Sequence, residues 1–232
     1  MPDGALARVL EAIENASRAA ARPPARLVAV SKTREAGEIA ALAAAWAALR
    51  PGDTLAFGEN YVQEAAPKAA ALDGSGIEWH LVGHLQSNKA AQAAAIFDWV
   101  QSVDRPKLVR ALAAARDPAQ PLNVLVQVNV EGEAGKHGCA PDDVHGLAAE
   151  IAAQPALRLR GIMAIPEPHP DFGRRREAFA RLRELHARLC AAHPAADTLS
   201  MGMSADFALA IAEGATMVRV GTALFGPRPA PA

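Results

Sequence analysis

Eight short runs, most of them apolar on both faces, recur along the chain. They lie at roughly 26–32, 54–60, 78–84, 99–104, 123–130, 159–166, 198–204 and 217–226. A strand buried on both sides needs cover on both sides, which is the pattern of a parallel sheet wrapped in helices. The alanine-rich segments between the runs supply that cover. Segments 35–49, 61–72, 87–97, 105–116, 141–154, 173–193 and 205–213 carry apolar residues at helical spacing. Asn60, Ser87, Asp104 and Ser204 stand where N-caps would stand. Eight strands alternating with helices predict a single (β/α)8 TIM-type barrel. Seven inter-strand helices leave the outer ring one short. An extra N-terminal helix over 3–20, with Leu6, Val9, Leu10 and Ile13 on one face, can fill the gap. The barrel is expected over 1–226, with a disordered Pro-rich tail at 227–232. A doubly wound open sheet competes with the barrel, because strand count does not exclude a topological switch point.

Composition narrows the function. The net charge is −1 with no basic block, so no nucleic-acid footprint is expected. No stretch has the charge-free length of a membrane span, and Glu11 and Glu14 interrupt any signal-like apolar core. Two cysteines, Cys139 and Cys190, make no disulfide framework, so a cytoplasmic location is expected. The three adjacent arginines Arg174–Arg176 read as a solvated face.

In a barrel of this type the active site lies at the C-terminal ends of the strands. Those ends are polar here: Ser31-Lys32-Thr33, Glu59-Asn60, Gly83-His84, Ser102-Val-Asp104, Asn129 with Lys136-His137, Ser200 to Ser204, and Arg219 to Thr222. Polar turns follow strands in any protein, so convergence at one mouth is what would make a site. Lys32 is one of only five lysines beside 19 arginines. At the end of a buried run its pKa should fall and its amine become nucleophilic, as Schiff-base chemistry requires; a lysine that simply snorkels out is the bland alternative. Ser200, Ser204, Gly221 and Thr222 form a phosphate hypothesis, since the loops after strands seven and eight are the usual phosphate site of such barrels. Capping by Ser204 and a tight turn at Gly221 explain the same residues. No metal is expected. His80 and His84 are far apart if they lie on a strand, and His137-Gly-Cys139 lacks further ligands. Asp104 reads as a cap, Tyr61 as a packing residue at a helix start, and Lys89 and Lys136 as surface amines. Met163, Met201 and Met203 read as core; Met203 is kept as a cofactor contact because a methionine packs well on a flat ring.

These residues sit in segments that resemble the pyridoxal phosphate homeostasis protein family, relatives of the alanine racemase barrel. The matching segments are LVAVSKT at 27–33, FGENYVQEA at 57–65, WHLVGHLQSNK at 79–89, SVDR at 102–105, VNVEGEAGKHG at 128–138, RGIMAI at 160–165, LSMGMSADFALAIAEGAT at 199–216 and VRVGTALFG at 218–226. The resemblance covers nearly the whole chain, in order. It implies an alanine-racemase-like barrel in which Lys32 carries pyridoxal 5′-phosphate (PLP) as an internal aldimine. It implies that the strand-seven and strand-eight loops hold the phosphate, that Arg219 faces the pyridine nitrogen, and that Asn60 lies near the cofactor. An arginine there disfavours protonation of that nitrogen and weakens the ring as an electron sink.

The expected function is therefore a PLP-binding protein of vitamin B6 homeostasis, a store or carrier with no catalytic residue. Its expected partners are PLP and recipient apo PLP-dependent enzymes, and a monomer is expected because the fold needs no partner to complete the site. The alternative is a PLP-dependent amino-acid racemase on the same barrel. Two-base racemisation needs a second acid/base opposite Lys32, and the single tyrosine, Tyr61, sits in the strand-two turn.

Overall fold

The computed structural model describes residues 2–133, 135–167 and 169–227. Eight parallel strands close into a barrel in sequence order, and β1 pairs with β8. They are β1 Arg26–Val30, β2 Ala56–Glu59, β3 Glu78–Leu81, β4 Trp99–Val103, β5 Leu122–Gln127, β6 Leu157–Met163, β7 Thr198–Ser200 and β8 Met217–Val220. The helices are α1 Pro2–Ala19, α2 Ala36–Leu49, α3 Val62–Ala71, α4 Ala90–Ile96, α5 Pro106–Ala115, α6 Val144–Ala152, α7 Phe172–Ala192, α8 Phe207–Ala212 and α9 Thr222–Phe225. The barrel prediction therefore holds, and the open sheet does not.

Strand alternation builds two cores. Leu27, Ala29, Val218 and Val220 face outward into the apolar layer beneath the helices. Val28, Ala56, Trp99, Leu125, Met163 and Met217 form a smaller cluster drawn from strands alone, the barrel interior. α1 packs on α2, α8 and α9, and so closes the outer ring where the sequence left a gap.

Three expectations change. The eighth run does not stay extended to 226: the strand stops at Val220 and the chain turns into α9. The expected N-caps are displaced, with Tyr61, Arg105 and Asp206 in the cap positions of α3, α5 and α8, while Ser87 lies inside a short 3-10 turn, Ser87–Lys89. The polar side chains read as caps serve other contacts: Ser204 Oγ accepts from the N–H groups of Gly221 and Ala223, and Asp104 binds Arg105. Arg174 and Arg176 are exposed as expected, but Arg175 is half-buried. The proline-rich tail lies outside the described residues, apart from Pro227. Among the described residues no helix is long and apolar enough to cross a membrane.

Candidate functional site

The strand ends converge on one cavity of about 290 Å³. Its polar lining comes from Lys32, Arg34, Asn60, Ser204, Arg219 and Thr222, with the backbone of Gly221. Val30, Val82, Ile165, Met203 and Phe225 supply apolar wall. Of the seven residues expected to bind cofactor, Lys32, Asn60, Met203, Arg219, Gly221 and Thr222 line this cavity, and Ser200 does not.

Lys32 is half-buried in the turn just beyond β1, and the parity of Val28 and Val30 carries it inward. Its neighbours on both sides are fastened to α3. Ser31 Oγ donates to Glu59 Oε1 at 2.6 Å, and Lys68 Nζ donates to the Ser31 carbonyl at 3.0 Å. The Thr33 N–H donates to Glu64 Oε1 at 2.5 Å, which holds Thr33 at φ 65°, a left-handed conformation that costs a threonine energy. Lys68 also bonds Glu59 at 2.9 Å and Glu64 at 2.7 Å. Burial raises the Glu59 pKa, while Ser31 and Lys68 pull it back. Buried Glu59 and Lys68, with half-buried Glu64, thus clamp the turn that presents Lys32. The sequence carried a sign of it: Val62, Ala65 and Lys68 recur at intervals of three on the buried face of α3, where a lysine needs a carboxylate.

Gly83 lets the ends of β2 and β3 approach each other. A Cβ there would stand 2.2 Å from the Asn60 carbonyl oxygen. That contact seats Asn60 at the cavity wall.

Arg219 rises from inside the barrel, 3% exposed. Its Nη2 donates to the Ala164 carbonyl at 2.8 Å and its Nη1 to Ser200 Oγ at 2.6 Å. Burial lowers its pKa to about 10, against the pull of Asp206, so it keeps its charge at neutral pH. Ser200, expected as a phosphate contact, lies fully buried below the cavity and orients this guanidinium. Ser200 Oγ donates to Gln101 Oε1 at 2.7 Å, and Gln101 Nε2 donates to His80 Nδ1 at 2.8 Å. That leaves the ring proton on Nε2, which donates to Glu78 at 2.5 Å. The donors all run one way, from the Arg219 cation to the Glu78 carboxylate. Burial keeps His80 neutral. The Glu78 carboxyl, though also buried, is held down at about 2 by His80 and by Arg26, 2.8 Å away.

On the same lining, Ser204 Oγ accepts from the Gly221 N–H at 3.3 Å and from the Ala223 N–H at 3.4 Å. The two amides donate to this hydroxyl, which keeps its own proton to give, and Thr222 lines the cavity beside it. At the start of α8, Asp206 accepts from the Met203 N–H at 2.7 Å. Gly221 also keeps the wall open: a Cβ would come within 3.2 Å of the Val30 carbonyl oxygen.

A second cavity, about 480 Å³, shares Asn60, Val82 and Ile165 with the first. Tyr61, His84, Lys89, Gln127 and His137 line it. Tyr61 is 63% exposed and does not line the Lys32 cavity. Lys136 is paired with Glu133. The Cys139 thiol is pushed up to about 12 by burial, which makes it inert.

The family model for the alanine racemase N-terminal domain matches residues 5–229. The pyridoxal phosphate homeostasis protein of Pseudomonas aeruginosa is 50% identical over 226 residues, covering 96% of this chain and 94% of that protein. Among solved structures, PipY of Synechococcus elongatus without PLP superposes with a TM-score of 0.85 at 35% identity, covering 97% of this chain and all of that one. PipY with PLP bound superposes with a TM-score of 0.79 at the same identity and coverage.

Proposed function

Because this chain belongs to the pyridoxal phosphate homeostasis protein family, we propose that it binds PLP in the Lys32 cavity and takes part in vitamin B6 homeostasis as a store or carrier. The carrying observation is the convergence of an amine, a buried guanidinium and a hydroxyl–amide cluster on one cavity with apolar walls. That donor set fits PLP, which offers an aldehyde, a ring and a phosphate. When bound, PLP supplies an aldehyde that condenses reversibly with a primary amine. Lys32 provides the amine, and the clamp on Ser31 and Thr33 fixes where it points. Ser204, Thr222 and the Gly221 backbone take the phosphate. Val82, Ile165 and Met203 cover the ring. Arg219, charged and braced by Ser200, keeps a neighbouring ring nitrogen unprotonated. Sequestering a reactive aldehyde in this way is useful without turnover. The barrel over 1–226 is proposed to act as one PLP-binding unit, monomeric and cytosolic, that hands PLP to apo-enzymes.

The phosphate assignment has a direct test. Each hydrogen bond to a charged group contributes about 1.5–3 kcal/mol. Ser204→Ala should therefore weaken PLP binding roughly tenfold or more while leaving pyridoxal binding nearly unchanged. Equal affinity of the wild type for PLP and pyridoxal would refute the assignment.

Carrier and racemase separate by isotope exchange. Tyr61 does not line the Lys32 cavity, so no tyrosine faces Lys32 as a second base. The PLP-loaded protein, incubated with L- and D-amino acids in deuterated water, should show negligible α-proton exchange and measurable PLP transfer to an apo-enzyme. Stereospecific exchange at enzyme-like rates would restore the racemase.

A further inference from the structure

We propose that His84, Asp104 and His137 form a binding site for a divalent transition metal of the zinc class, beside the second cavity. The three residues leave β3, β4 and β5 on separate loops, and nothing in their spacing along the chain announces a site. In the fold each offers one ligand atom, and these atoms all lie within 4.8 Å of one another. His84 Nδ1 is already 3.8 Å from Asp104 Oδ2. Zinc bonds of roughly 2.0–2.2 Å place neighbouring ligand atoms about 3.4 Å apart, so closure takes side-chain rotation that turns the two rings out of parallel and aims a nitrogen of each at the ion.

The side chains are already gathered at one place. The two imidazoles stack, with centroids 3.7 Å apart and planes at 14°. Asp104 is held for one-oxygen coordination: Arg105 Nη1 donates to its Oδ1 at 2.5 Å, leaving Oδ2 turned toward His84. Such an outer partner is the usual support of a ligating carboxylate. Arg105 and Lys89 are the charges that oppose a cation here, and the carboxylate with two nitrogen ligands must outweigh them.

A second observation points to the same place. Gln127 lines this cavity and donates to the His137 carbonyl at 3.2 Å, which steadies the loop. Its Oε1 is buried with no hydrogen-bond partner. Buried unpaired acceptors are rare, and an ordered water or ion is a common reason for one. Two nitrogens and a single carboxylate suit zinc, nickel or copper, whereas magnesium and calcium demand oxygen ligands. Three protein ligands leave a position open to solvent.

The inference does not rest on PLP binding, so the test is run without added PLP. Zn²⁺ is titrated into the full chain by calorimetry and by competition with a chromogenic chelator. One equivalent should bind. His84→Ala and His137→Ala should each weaken binding by roughly tenfold or more, judging by the losses that even outer-shell changes cause, and His145→Ala, at an exposed histidine, should change nothing. Imidazole proton resonances of the wild type supply a readout that needs no variant: Zn²⁺ should shift those of both His84 and His137. Binding that never saturates near one equivalent, that survives both substitutions, or that leaves both resonances in place would overturn the site.

Discussion

Lys68→Met is expected to destabilise the protein by about 3–5 kcal/mol, because it removes one partner of a buried ion cluster and leaves the others unpaired. Lys68 Nζ donates to the Ser31 carbonyl, to Glu59 and to Glu64, and all three acceptors lose that bond together. Glu59 is fully buried and already has one oxygen without a partner. For a chain of this length the loss should lower the melting temperature by roughly 6–20 °C. Lys107→Met, at an exposed lysine, is the control and should change little. The effect should also reach the amine. With Ser31 and Thr33 less firmly held, Lys32 should take up PLP more weakly even below the melting transition. A melting temperature like that of the wild type would show that the cluster neither stabilises the fold nor clamps the turn.

Lys32→Ala should have the largest effect on the ligand and a small one on the fold. Removing the amine removes the covalent hold, and PLP affinity should fall by about two orders of magnitude, roughly 2.7 kcal/mol. The fold should survive because the turn is fastened through Ser31 and Thr33 rather than through Lys32 alone. Residual binding should come from the phosphate contacts, so PLP should still outcompete pyridoxal in the variant. Melting temperature and ligand affinity, measured on one preparation, separate the two effects.

How much of this could be read from the sequence follows the range of the forces involved. Strands were legible because parallel barrel strands are apolar on both faces, a local property of six or seven residues. That Lys32, Arg219, Gly221 and Thr222 meet at one cavity was legible because a barrel gathers its strand ends at one face. Helix starts were less so: Asp104 and Ser204 have the chemistry of caps, and only the fold shows them engaged by Arg105 and by the start of α9. Ser200 has the right parity for the mouth but sits one layer too deep, where it meets Gln101 across the barrel. The run from Glu78 to Arg219 joins residues of four strands, and the His84–Asp104–His137 group joins three loops. No local pattern encodes such pairings; barrel closure makes them.

The central claim is that Lys32, presented by its clamped turn, is the amine that holds PLP. The most direct measurement is borohydride reduction of the PLP-loaded protein followed by peptide mass mapping. The account predicts one pyridoxyl group per chain, on the peptide that contains Lys32, and none there in Lys32→Ala. A label carried mainly by Lys89 or Lys136, or a wild-type protein that takes no label at all, would contradict it.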